Sequence, residues 1–144
     1  VGQEYNLALM IAAALSAMAG ALHIGVVLVG PRWYRLFGAG EKLARAAEAG
    51  RVYPALITFG IAFVLFAWAA YALSGAGVLG PLPLLRPALV AISLVYLLRG
   101  AAGPLILKDT GRSLRFIYVS SAICLAFALV HLLGLVQVWG RLGG

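Results

Sequence analysis

Few residues within the apolar stretches of this sequence are able to do chemistry. His23, Arg99 and His131 are ionisable, and Ser16, Thr58, Ser93, Tyr96, Ser120 and Ser121 add hydroxyls. Polar and ionisable side chains at membrane depth are costly, which makes them functional candidates. Carboxylates are missing from the set, because Glu4, Glu41, Glu48 and Asp109 fall at a terminus or in a connection. Proton and cation carriers ordinarily hold an acid near the midplane, so that class is disfavoured. A guanidinium stays charged and offers five N–H donors, so Arg99 asks for an anionic partner. With no acid at that depth, the fitting partner is a lipid phosphate or a small anionic ligand.

Depth decides which of these groups can meet. With a rise of about 1.5 Å per residue, His23 is roughly 9 Å from the cytoplasmic end of its stretch and Arg99 roughly 12 Å from the same end of its own. Thr58, Ser120 and Ser121 fall in the same slab, and Tyr96 shares one face with Arg99, Gly100 and Gly103. The candidate ligand-binding set is therefore Arg99, His23, Tyr96, Thr58, Ser120 and Ser121. His131 is roughly 25 Å along the last stretch, near the outer face. The two histidines thus differ in depth by about 16 Å, too far to share a metal ion or the two faces of one haem. No metal site and no cofactor is expected. A second reading of Arg99 stays open: Leu98-Arg99-Gly100 also resembles a helix C-terminus, a cation followed by a glycine cap, with Arg99 reaching up to headgroups.

Catalysis finds little support. Ser120, Ser121 and Cys124 are conceivable nucleophiles and His23 a conceivable base, but no carboxylate is placed to orient that base. No phosphate-cradling glycine loop, zinc-protease motif or CxxC occurs. Cys124, the only cysteine, has no internal disulfide partner and reads as a small packing residue.

The elements that must position these side chains follow from composition. The 144 residues are 64% hydrophobic and 10% charged, far from the soluble average of roughly 45–50% apolar and about 25% charged. Such an excess calls for a bilayer as solvent. Four apolar stretches, residues 5–29, 53–73, 84–107 and 114–139, each reach the roughly 20 residues that cross about 30 Å of hydrocarbon. None alternates with period two, so a β-barrel is disfavoured. The expected fold is all-α, a single polytopic four-transmembrane-helix bundle. The start of the chain does not read as a secretory signal: Glu4 precedes the apolar stretch, no Lys or Arg does, and the stretch is too long.

The first connection is the sizeable one. Gly30-Pro31 stops the first helix, and Trp33, Tyr34 and Phe37 follow among Arg32 and Arg35, a mixture suited to the headgroup layer. Between Gly40 and Gly50 a short amphipathic helix is expected, with a Glu41–Arg45 pair at i,i+4. Ser113 is positioned to cap the last helix. Connections one and three hold Arg32, Arg35, Lys42, Arg45, Arg51, Lys108, Arg112 and Arg115, most of the 11 basic residues. The positive-inside rule then makes both connections cytoplasmic and both termini periplasmic. The same placement explains the net charge of +7 without nucleic acid as a partner.

In lipid, helices are held by close approach over small residues. The first helix carries two such stripes, Ala13, Ala17, Ala21, Gly25 and Ala12, Ser16, Gly20. It is therefore either central in the bundle or shared with a second copy of the chain, a homo-oligomer.

The run Gly30-Pro31-Arg32-Trp33-Tyr34-Arg35-Leu36-Phe37-Gly38-Ala39-Gly40-Glu41, with Val95-Tyr96-Leu97-Leu98-Arg99-Gly100, resembles a family of small, functionally uncharacterised proteobacterial inner-membrane proteins. The resemblance covers most of the chain and implies a bacterial inner membrane and no particular activity. The leading expectation is a binding or accessory protein that holds a lipid headgroup or small anion in the cytoplasmic half. A subunit of an oligomeric transporter or channel comes second, and a membrane-embedded enzyme acting on lipid third. The balance of residues leans against an enzyme.

Overall fold

Backbone N–H and C=O groups in an apolar medium must bond within their own segment, so apolar stretches of this length become helices. The computed structural model describes residues 4–143 and contains α1 (Leu7–Val29), α2 (Pro31–Leu36), α3 (Glu41–Glu48), α4 (Tyr53–Ala76), α5 (Leu85–Leu107), α6 (Leu114–Val138) and a final 3-10 turn, Arg141–Gly143. Four of these, α1, α4, α5 and α6, are long and apolar enough to cross a membrane. Among the described residues there is no strand.

Local chemistry sets the ends. α1 starts at Leu7 because the Asn6 side chain accepts from Leu9 N at 2.8 Å. α4 runs to Ala76, past the expected Leu73, and stops where Gly77 takes φ 86°. That left-handed glycine lets Val78 N reach back to Leu73 O at 3.0 Å, closing the last turn. Ser113 caps α6 by accepting from Phe116 N at 3.2 Å. α5 does not end at Arg99-Gly100 but continues to Leu107 with Pro104 inside it. The short-helix reading of Arg99 is thereby corrected.

The long helices form two antiparallel hairpins. α1 packs along α4 and α5 along α6, with α1 also against α6 and α4 more loosely against α5. Only 28–33% of each apolar span is buried within the chain. The outward surface carries Phe63, Leu98, Leu129 and Val136 at 63–75% exposure, which demands an apolar surrounding. Most of the two small-residue stripes of α1 packs inside the chain, although Ala21 is exposed. Ala12 and Ala13 pack with Ala69 and Ala72, Ser16 is fully buried, Gly20 faces the Phe66 ring, and Gly25 lies under Trp33. Through these residues α1 packs against α4, α6 and the short helix α2.

The end that carries the two basic connections is tied together by arginines. Arg35 donates to both Glu41 carboxylate oxygens, each at 3.0 Å, and to Glu48 at 2.6 Å. The Glu41–Arg45 pair is present at 3.0 Å. Arg112, from the α5–α6 turn, donates to Gly38 O at 2.8 Å and Ala39 O at 3.2 Å, stapling one connection to the other. Ala44 of α3 is buried with Val26 and Tyr34. Pro31 at the first helical position starts α2, a turn of helix that the aromatic–arginine pattern did not announce.

The hydrogen bonds from Arg35, then those from Arg45, hold the Glu41 carboxyl at about 2 rather than the ordinary 4.5. Glu48 is lowered by the same Arg35. A carboxylate depressed in the folded chain stabilises above its unfolded value, and the contribution is lost as pH falls through the folded one. The α3 amide resonances are therefore expected to move towards disordered values between pH 4.5 and about 2 while those of α1 and α4 stay fixed. An α3 unchanged to pH 2 contradicts this role for the three-way ion pair.

Candidate functional site

Tyr96 is the middle residue of α5, and Arg99 lies about 4.5 Å further toward the basic end. The Arg99 guanidinium reaches across to α6, where Nη2 donates to Ser120 Oγ at 3.1 Å and Nη1 to Ser121 Oγ at 3.4 Å. Two glycines make room for it. A Cβ at Gly103 would sit 2.6 Å from Arg99 Nη1 and overlap Ser121 Oγ, and one at Gly100 would sit 2.8 Å from the backbone N of Leu125. Gly100 and Gly103 are thus close-approach residues, not caps. Ser120 and Ser121 are six and seven residues into α6, which places the guanidinium roughly 10 Å inside the helical layer from its basic end.

Both partners of Arg99 are neutral hydroxyls. The ion pairs among the described residues involve Arg35 and Arg45 with Glu41 and Glu48, none of them Arg99. A partly buried unit charge thus faces two weak acceptors and, among the described residues, no counter-ion. The chemistry this offers is recognition of an oxyanion.

The other candidates are engaged elsewhere. Tyr96 is buried and its Oη pairs with Ser16 Oγ of α1 at 2.9 Å. Thr58 donates to Pro54 O at 2.7 Å and pairs with Tyr34 Oη at 3.2 Å, which seals α2 against α4. His23 Nδ1 donates to Ala19 O at 2.7 Å, and the ring is partly buried. Of the six residues singled out from sequence, Arg99, Ser120 and Ser121 are hydrogen-bonded together, and the other three bond to different groups.

His131 keeps its expected depth along α6 and packs inside the bundle. It is fully buried, donates from Nδ1 to Phe127 O at 2.8 Å, and its ring lies 5.0 Å from that of Tyr96, tilted by 37°. Side chains lean towards the N-terminus of their helix. α5 and α6 are antiparallel, so Tyr96 and His131 lean towards each other and close the gap in depth. Trp68 and Phe127 complete an aromatic cluster around Tyr96, at 5.0 and 5.4 Å. Midpoint positions on α1 and α5 could have paired Ser16 with Tyr96; no pattern pointed to Tyr34 on Thr58.

Among the described residues no three His, Cys, Asp or Glu side chains are grouped to hold a metal ion. An open depression of about 680 Å³ at the basic end is lined by Pro31, Arg32, Arg35, Leu36 and Glu48, where the Arg35 charge is already answered by two carboxylates. No family model, no curated protein and no solved structure matches the chain.

Proposed function

We propose that this chain is a small multi-pass protein of a bacterial inner membrane that binds an anionic headgroup or small anion at Arg99, Ser120 and Ser121. The observation that carries the proposal is a guanidinium about 10 Å along the spanning helices from their basic end, hydrogen-bonded among the described residues to the hydroxyls of Ser120 and Ser121. A charge at that depth is costly, and a phosphate drawn inward from the interface answers it with charge-assisted, bidentate bonds. His23, partly buried in the same slab of the membrane, is a secondary contributor, while Tyr96 and Thr58 act as supports through their own bonds.

In this reading the basic connections face the cytoplasm and both termini the periplasm. α3 lies on the headgroup layer with Ala44 turned inward and Glu41, Lys42, Arg45 and Glu48 in water. A reporter enzyme active only outside the cytoplasm is expected to be active when fused after Gly144 and inactive when inserted at Gly40; the opposite pattern contradicts the orientation. A transport path through a single chain is not favoured, because Leu65, Ile92, Tyr96 and Ala128 fill the bundle at mid-depth.

The binding reading is tested by thermal melting in mild detergent. Phosphatidylglycerol is expected to raise the melting temperature in a saturable way, phosphatidylcholine to leave it unchanged, and Arg99→Gln to require roughly tenfold to hundredfold more lipid for the same shift. Inorganic phosphate producing the same shift assigns the site to a soluble anion instead of a lipid. No shift with either anion contradicts the proposal.

A further inference from the structure

The bundle holds a second polar centre, independent of Arg99. Among the described residues, His131 Nε2 is the fully buried side-chain nitrogen or oxygen that no protein group bonds. Its tautomer follows from the other nitrogen. Nδ1 lies 2.8 Å from Phe127 O, and a carbonyl only accepts, so Nδ1 carries the hydrogen and Nε2 presents a lone pair. An imidazolium would need a second acceptor and a counter-ion, and no carboxylate pairs with it.

A spare donor sits nearby. Ser16 Oγ and Tyr96 Oη are 2.9 Å apart and fully or almost fully buried. Two hydroxyls carry two hydrogens, and their mutual bond uses one. Neither makes another bond among the described residues. The buried centre therefore has one hydrogen without an acceptor and one acceptor without a hydrogen.

The helices bring the two unpaired groups to neighbouring depths. α1 and α6 are level where a Cβ at Gly134 would come 3.0 Å from Leu9 N. Counting from there, Ser16 and His131 differ in depth by about 6 Å. Their side chains lean towards each other, because the helices are antiparallel. One water molecule bridges heavy atoms about 4.5–5 Å apart, accepting from one and donating to the other. Buried waters ordinarily make two to four such bonds to groups otherwise unpaired.

We propose that a water molecule is bound at mid-membrane between His131 Nε2 and the Ser16–Tyr96 hydroxyl pair. It accepts the spare hydroxyl hydrogen and donates to Nε2, joining α1, α5 and α6 through one polar centre. The test is nitrogen-15 NMR of the wild-type protein, labelled at histidine and held in lipid nanodiscs. Nε2 of His131 is expected at the shift of a hydrogen-bonded acceptor, with cross-peaks from the ring protons to the water frequency, and both signals persist when the protein, still helical by circular dichroism, is delipidated by transfer into detergent micelles. The shift of an unbonded acceptor overturns the proposal, and so does scalar coupling showing a direct bond from Tyr96. Loss of the bonded shift on delipidation assigns the donor to a lipid hydroxyl and overturns it as well.

Discussion

Gly100→Val is expected to cost about 1–3 kcal/mol or more of stability, the range for forcing atoms into a packed interior. A Cβ at residue 100 would lie 2.6 Å from Leu125 Cγ and 2.8 Å from the Leu125 backbone nitrogen. Carbon contacts are comfortable at about 3.5–4.0 Å, and a backbone atom cannot rotate aside as a side-chain tip can. α5 must therefore move away from α6 by most of an ångström, and the bonds from Arg99 to Ser120 and Ser121 lengthen with it. Gly60→Ala supplies the contrast, since nothing lies within 4 Å of its added methyl. That substitution should be neutral or stabilising by about 0.5–1 kcal/mol, the ordinary helix preference for alanine. Unfolding by mixed-micelle titration compares the two. If Gly100→Val proves as stable as Gly60→Ala, α5 and α6 are not held in close contact at Gly100.

Arg99→Gln is expected to weaken phosphatidylglycerol binding roughly tenfold to hundredfold, since a hydrogen bond to a charged group is worth about 1.5–3 kcal/mol. Glutamine keeps a donor for Ser120 or Ser121, so the loss reports the charge and the fork rather than the packing of α5. Arg99→Lys separates those two. It retains a positive charge but not the planar pair of N–H groups, and an intermediate affinity is expected. Equal binding by the wild type and Arg99→Gln would mean that the lipid is held by the basic connections, where Arg32, Lys42 and Arg51 are exposed.

The four long helices were legible because an apolar solvent leaves a 20-residue apolar stretch little choice but to be helical. Their ends shifted by a few residues where a side chain intervened, as Asn6 does for α1. Arg99 shows where soluble-protein habits mislead. An arginine followed by glycine reads as a stop signal in water, but inside an apolar layer an unpaired turn is costly and the helix runs on. There Gly100 and Gly103 serve the approach of α6 instead. The neighbours of Arg99 were partly readable, since depth alone placed Ser120 and Ser121 in its slab. Depth alone also placed Thr58 and His23 there, and it could not say that Thr58 faces Tyr34. Rotation about each helix axis decides partners, and a near-uniform apolar coat carries little information about rotation. Arg35 was hidden for a related reason: its partners are 6 and 13 residues away, across a turn whose course depends on Arg112 and the buried Ala44.

The claim that an anion meets Arg99 inside the bilayer is tested most directly by solid-state NMR of the protein in phosphatidylglycerol-containing membranes. A dipolar coupling between lipid phosphorus and a guanidinium nitrogen is expected in the wild type and is lost in Arg99→Gln. A spectrum in which that coupling is absent, or survives the substitution unchanged, would contradict it.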